Sequence, residues 1–272
     1  MGDGKAYGLE TRVSVLTWNL WWKFGPWQKR KAAILATLRD LDADIVCLQE
    51  IWNDGDGNLA ADLAEALGYH HVYAESMVMN DTGFGNAILS RWPIGESDTV
   101  ELSGREESGE GRIGLYALVN GPRGDLPVFC THLNHRYEHS HIRQEQVADL
   151  ARFVDSKRPW TFPPVLCGDL NAEPEAEEMR MLVGLTTCPV KGLCFVDAWN
   201  VAGDGGRGIT WSNNNPYAVE EFEPDRRIDY ILAGHPKYRG AGHVTDCVVA
   251  GAETVDGVMP SDHYGVLAKL RY

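Results

Sequence analysis

Apolar residues along this chain fall into two rhythms. In VSVLTW (13–18), DIVCLQE (44–50), PVFCTHL (127–133) and PPVLCGDL (163–170) they occupy consecutive positions, the pattern of strands buried on both faces. HVYAES (71–76), NAILSRW (86–92), a stretch near 112–119, and IDYILAG, HVTDCVVAG and YGVLAKLRY toward the C-terminus also read as strands. Elsewhere the spacing is helical. Ile34, Leu35, Leu38 and Leu41 predict a helix over 27–40, and residues 58–67 predict another, stopped by Gly68. Ile142, Val147, Leu150, Phe153 and Val154 predict the longest helix, over 138–155, with a short one at 175–183. Segments 103–112 and 200–226 read as long loops, the second ending in acid at Glu220, Glu221, Glu223 and Asp225. With no repeat, low-complexity stretch or linker, the expectation is one α/β domain over 13–272, preceded by a polar extension, 1–12.

Composition narrows the class. The 272 residues are 44% apolar and 24% charged, a globular balance that allows a sizeable core. No run approaches ~18 consecutive apolar residues, so no membrane span is expected. The opening MGDGKAYGLETR has no apolar signal region, which makes the expected location cytoplasmic. Lys and Arg total 25 against 39 Asp and Glu, a net charge of -14. An acidic surface repels phosphate backbones, so sequence-independent duplex binding is disfavoured and a small or lipid-like phosphate ester is favoured as partner. The six cysteines are too scattered for a disulfide scaffold. Cys47, Cys130 and Cys167 lie in strand-like runs and read as buried hydrophobes, whereas Cys188 and Cys194 flank a loop and could pair.

The informative pattern is where polar residues interrupt apolar runs. Successive strands deliver Asn19, Glu50, His132, then Asp169 and Asn171; a later one carries Asp229, and Asp262 and His263 precede the last. A single strand-end Asp or Asn is ordinarily a turn cap. Several on adjacent strands share one rim of a sheet, and this set is the composition of a hard-cation site that handles a phosphate. Oxygen donors favour Mg2+ or Mn2+, one or two ions, over zinc.

The strings TWNLW (17–21), LQEIW (48–52), NAILSRWPI (86–94), THLNH (131–135), CGDLNAEP (167–174), RRIDYIL (226–232) and PSDHYGVLA (260–268), in that order, resemble the endonuclease/exonuclease/phosphatase superfamily. The resemblance implies a four-layer α/β/β/α sandwich of two mixed sheets with outer helices, deoxyribonuclease I-like, with its active site at one edge. It implies that Glu50 binds a metal with Asn19 and Asp262 beside it, and that Asp169 positions or deprotonates the attacking water. Asn171, His132 and His263 would face the phosphate, and Asp229 would orient His263. The expected reaction is in-line hydrolysis of a P–O bond, with general-base help worth ~10²–10⁴-fold.

Departures from particular branches bear on substrate. Trp21 stands where repair-type members carry Asp or Asn, and Ile51 and Trp52 stand where Thr and Lys follow their metal glutamate. Trp21, Trp22 and Trp52 fit either an aromatic wall for substrate or packing of the first helix, while Trp18 reads as packing. In HLNHRYEHSHIR, Arg143 is expected to brush the substrate phosphate, and a second metal site among His135, His139 and His141 is the lesser reading. Asn213–Asn215 reads as a turn. The preferred function is a divalent-metal-dependent phosphodiesterase. A DNA or RNA nuclease with the same site is the alternative, and a non-catalytic binding module the remote one.

Overall fold

The computed structural model describes residues 11–272, so most of the polar N-terminal extension lies outside the described residues. Strands β1 (Arg12–Asn19), β2 (Ile45–Asn53), β3 (His70–Met79), β4 (Thr82–Ser90), β11 (Val244–Ala250) and β12 (Gly265–Arg271) form one sheet, ordered β11-β12-β1-β2-β4-β3. Strands β5 (Ile94–Glu101), β6 (Ile113–Gly121), β7 (Gly124–His132), β8 (Val165–Asp169), β9 (Phe195–Asp197) and β10 (Asp229–Gly234) form the other, ordered β5-β6-β7-β8-β10-β9. Each sheet is antiparallel except for one central pair, β1 with β2 and β7 with β8. Those parallel pairs need crossovers, supplied by helices α1 (Trp27–Leu41) and α4 (Ser140–Ser156). Helices α2 (Leu59–Leu67), α3 (Arg105–Ser108), α5 (Glu177–Leu182) and α6 (Ala198–Ala202) complete the set.

The layering follows from alternation along strands that are apolar on both faces. In β1, Val13 and Val15 enter the core between the sheets, while Leu16 and Trp18 pack outward against Ile34 and Leu38 of α1 and Leu63 of α2. In β7 and β8, Val128, Cys130, Val165 and Cys167 point inward, while Phe129 and Leu166 meet Val147, Leu150 and Val154 of α4. Three apolar layers between four structural layers make the α/β/β/α sandwich.

Helix ends match their sequence signals. Asn58 caps α2 by accepting from the Ala60 and Ala61 N–H groups, and Gly68 closes it in the left-handed conformation at φ 70°. The longest helix begins at Ser140, later than expected, because 137–139 form a tighter 3-10 turn. Strand β5 was not expected from sequence. Its IGESDTVE is an exposed edge strand with polar side chains, the composition that blunts sheet edges and resembles a loop. The segments read as loops contain α3, most of α6 and a 3-10 turn at Ala218–Glu221. Cys47, Cys130 and Cys167 are buried as expected, and Cys188 and Cys194 are free thiols. No helix among the described residues is long and apolar enough to cross a membrane.

Candidate active site

Strand direction assembles the site. Parallel β1 and β2 bring Asn19, at the end of β1, beside Glu50 within β2. Parallel β7 and β8 place His132 opposite Asp169, and antiparallel β10 begins with Asp229 opposite Asp169 from the other side. Asp262 and His263 arrive just before β12 turns back along β1. All converge on one rim, at a cleft of about 1020 Å³.

Local backbone irregularity aims several of these groups. The pairing of β2 with β4 shifts between Leu48 and Ile51, and Glu50 in that bulge takes φ 56°. Asn171 and Trp21 also lie in the left-handed region, at φ 49° and 55°. Such backbone is costly for non-glycine residues and gathers where side chains must be re-aimed.

Asp169 is the hub. It is 1% exposed, and its Oδ1 accepts from the Asn171 N–H at 3.0 Å. Its Oδ2 accepts from Asn19 Nδ2 at 3.0 Å and lies 3.5 Å from His132 Nε2 and 3.7 Å from His263 Nε2. Burial and the nearby Asp229 raise its pKa to about 6. His263 Nδ1 donates to Asp229 Oδ2 at 2.9 Å, and Trp211 packs edge-on at 4.9 Å between ring centroids. Burial pulls the His263 pKa down, but Asp229 and Asp169 outweigh it and carry it to about 10, so this imidazole is charged at neutral pH. His132 is the opposite case: burial, then Arg112, His263 and His135, push its pKa well down and keep it neutral.

Asn19 bridges the acids. Its Nδ2 donates to Glu50 Oε1 at 3.1 Å as well as to Asp169, while its oxygen accepts from the Trp21 N–H at 3.0 Å. In this orientation it organises the carboxylates, while its oxygen, with one donor bound, keeps a second lone pair. Glu50 and Asp262 are the pair that fits one. Burial and the adjacent Glu50 push the Asp262 pKa up to about 7, and neither acid has a salt-bridge partner among the described residues. Two neighbouring carboxylates, their charge only partly offset by His263 and Arg30, are hard oxygen donors that suit Mg2+ or Mn2+. A second group whose ligand atoms lie within 4.8 Å of one another, Asp169, Asp229 and His263, is already held by the charged imidazole, which bonds Asp229 and lies 3.7 Å from Asp169.

Two expected substrate contacts do not reach the cleft. Arg143 is buried on α4, its Nε donates to Glu178 Oε1 at 2.6 Å, and its Nη1 donates to the carbonyls of Asn134 and Arg136. It braces the loop after β7 from behind, because the helical phase turns it inward. Trp52 is 5% exposed and packs edge-on against Trp27 beneath Lys23 and Lys31, so it is core under α1. Trp21 does line the cleft, stacked on Tyr217 at 4.7 Å. Trp18 and Trp22 are buried, their indole N–H groups donating to the carbonyls of His263 and Gly83. His135, His139 and His141 turn to separate partners, Glu110, Asn134 and Glu107. The Asn213–Asn215 segment forms a turn, with Asn213 bonded to Asp225 and Asn215 to the Ser261 carbonyl.

Three residues emerge only from the fold. Trp211 floors the cleft beside His263, and Arg112 enters it from the end of the 103–112 segment. Arg30 lies beneath the rim, buried, its guanidinium donating to the carbonyls of Leu20, Trp21, Trp22, Phe24 and Pro260. Burial lowers its pKa to about 10 against the pull of Asp262. The available sequence signal was an arginine in phase with Ile34 and Leu38 on the apolar stripe of α1.

Two mixed sheets stacked between helices, with an acidic, histidine-bearing cleft at one rim, define the deoxyribonuclease I-like class of fold. A model described as the Endonuclease/Exonuclease/phosphatase family matches residues 16–263, and the chain belongs to that family. It is 26% identical over 297 residues to a protein named putative neutral sphingomyelinase from Drosophila melanogaster, covering 97% of this chain and 61% of the relative. It is 34% identical over 176 residues to the uncharacterized protein YbhP of Escherichia coli, covering 58% of this chain and 66% of the relative. The chain therefore spans less than two thirds of the length of these relatives. The crystal structure of an endonuclease/exonuclease/phosphatase from Beutenbergia cavernae superposes with a TM-score of 0.70 at 25% identity, over 96% of this chain and 71% of that one.

Proposed function

We propose that residues 13–272 form a catalytic domain, a Mg2+- or Mn2+-dependent phosphodiesterase that hydrolyses a P–O bond of a small or lipid-like ester. The observation that carries the reading is Asp169, buried between two amide donors and flanked by one neutral and one charged imidazole. The amides fix its carboxylate, and a pKa near 6 suits it to accept a proton from water close to neutral pH. His263, charged and oriented by Asp229, donates to a phosphoryl oxygen as negative charge develops. Asn171, at its strained turn, and neutral His132 face the same anion. Glu50 and Asp262 would hold the divalent cation, which when bound polarises the phosphoryl oxygen and offsets charge on the leaving oxygen.

The net charge of -14 and the name of the Drosophila relative both favour a lipid-like or small ester over a polynucleotide. The test is hydrolysis of bis-p-nitrophenyl phosphate beside plasmid nicking, each in Mg2+ and in Mn2+, with Asp169→Asn as control. Diester hydrolysis without nicking is expected, and Asp169→Asn should lose about 10²-fold or more. Near-wild-type turnover in that variant would sink the mechanism. Nicking abolished by it would transfer the assignment to a nuclease.

A further inference from the structure

We propose that Arg112 is an additional catalytic residue of this site, donating from Nη1 to a non-bridging oxygen of the substrate phosphate while Glu110 holds it in place. The inference rests on the phosphoesterase reading above and names a residue which that reading does not use.

The guanidinium is 5% exposed and lines the cleft. Its Nε and Nη2 both donate to Glu110 Oε2, at 3.2 and 2.8 Å. That two-pronged contact fixes the plane of the group and directs Nη1 away from Glu110. Nη1 is buried and has no hydrogen-bond partner. Buried charged donors left unmade are costly and rare, and the natural complement of this one is an anion. An arginine used only to staple its loop would have that third side capped by a carbonyl, as all of Arg30 is.

Its position fits a phosphate contact. Arg112 lies over the Phe84 ring at 5.9 Å, and Phe84 packs at 5.9 Å against His132, whose Nδ1 is also buried and unpartnered. Two buried, unpartnered nitrogens thus flank one aromatic ring in the wall of one cleft, the Arg112 one a donor. The mounting is rigid. The Leu102 N–H donates to the Arg112 carbonyl and closes the loop between them. Gly111 approaches β3 so closely that a Cβ there would lie 2.2 Å from the Ser76 carbonyl oxygen. His135 Nδ1 lies 2.8 Å from the other oxygen of Glu110, an ion pair when the imidazole is protonated. Glu110 is therefore a positioning residue, gripping an arginine on one side and an imidazole on the other.

The experiment compares wild type, Arg112→Lys, Arg112→Ala and Glu110→Gln in two assays. The first is steady-state hydrolysis of bis-p-nitrophenyl phosphate. The second is calorimetric binding of inorganic phosphate to the Mg2+-loaded protein, with thermal midpoints recorded for each variant. Arg112→Ala should lower kcat by about 10²–10³-fold, as loss of one oxyanion donor does, with a smaller change in KM. Added guanidinium ion should restore part of that loss, Arg112→Lys should not match wild type because its single ammonium cannot grip and donate at once, and phosphate binding should weaken. Glu110→Gln should lose less and respond to no guanidinium. A kcat within a few-fold of wild type in Arg112→Ala, or a loss that only tracks a lower thermal midpoint without guanidinium rescue, would overturn the proposal. If wild type cleaves no diester with any divalent ion, the phosphodiesterase reading fails separately. Phosphate binding then decides: weaker in Arg112→Ala supports the arginine site, and equal affinity refutes it.

Discussion

Of two histidines a few ångströms from one carboxylate, one is held charged and the other neutral, and the difference lies in what stands behind each ring. His263 has Asp229 at Nδ1, whereas His132 has no partner at Nδ1 and cationic neighbours in Arg112 and His263. Replacing Asp229 with Asn should bring the His263 pKa from about 10 toward the ordinary value near 6.5, read by NMR titration of the metal-free protein. The sign for stability follows. A histidine whose folded pKa is raised contributes stability that is complete below pH 6.5 and lost as pH climbs through about 10. Wild type should therefore lose stability across that window, and Asp229→Asn should lack this component of the slope. An unchanged His263 titration in the variant would remove Asp229 as its orienting partner.

At the scale of elements, the site depends on two contacts that make no appeal to substrate. Strands β7 and β8 meet so tightly that a Cβ on Gly168 would lie 2.0 Å from the Thr131 carbonyl oxygen, one residue before both His132 and Asp169. Gly168→Ala should fail to accumulate as folded protein, seen by circular dichroism and solubility, because backbone and not a flexible side chain obstructs the added methyl. Behind the loop after β7, Arg143 and Glu178 form a buried pair joining α4 to α5. Glu178→Gln leaves a buried guanidinium short of its counter-charge and should cost about 3–5 kcal/mol in urea unfolding. Its effect on activity should be indirect, through the loop that Arg143 holds at the carbonyls of Asn134 and Arg136.

At the scale of the whole molecule, the sandwich concentrates negative charge at one rim of an already acidic protein. Asp169 and Asp262 have pKa values raised to about 6 and about 7, so the metal-free fold retains protons that the unfolded chain releases near pH 3.8. These two groups weaken the metal-free fold progressively as pH rises from about 4 to about 7. A divalent cation reverses that. Mg2+ or Mn2+ should raise the thermal midpoint, by an amount equivalent to about 2.7 kcal/mol at a hundredfold excess over Kd. The gain should grow with pH over the same interval, shrink in Glu50→Gln and vanish with chelator. A midpoint indifferent to divalent ions at pH 8 would remove Glu50 and Asp262 as a metal site.

The sequence by itself determined most of the strands, the longer helices and most of the rim. Strands such as β1, β7 and β8 are buried on both faces, so they appear as uninterrupted apolar runs, and a carboxylate or imidazole at the end of such a run has no packing role. Asn19, Glu50, His132, Asp169, Asp229 and His263 were legible for that reason, as was the family pattern they belong to. Only the tertiary structure decided which way residues in helices and connecting segments face. Arg143 looked like a loop cation and is a buried brace, because on α4 it falls in phase with the inward-facing Val147, Leu150 and Val154. Trp52 fitted either a wall or packing and is core, because it shares the outward face of β2 with Val46 and Leu48 and packs against Trp27 of α1. Arg112 and Trp211 carry no periodic signal that separates them from ordinary polar or aromatic positions, and Arg30 shows only its phase with Ile34 and Leu38. Their roles also depend on contacts distant in the chain, Trp211 with His263, Arg30 with the Pro260 carbonyl and Arg112 with the Phe84 ring, which local spacing does not encode.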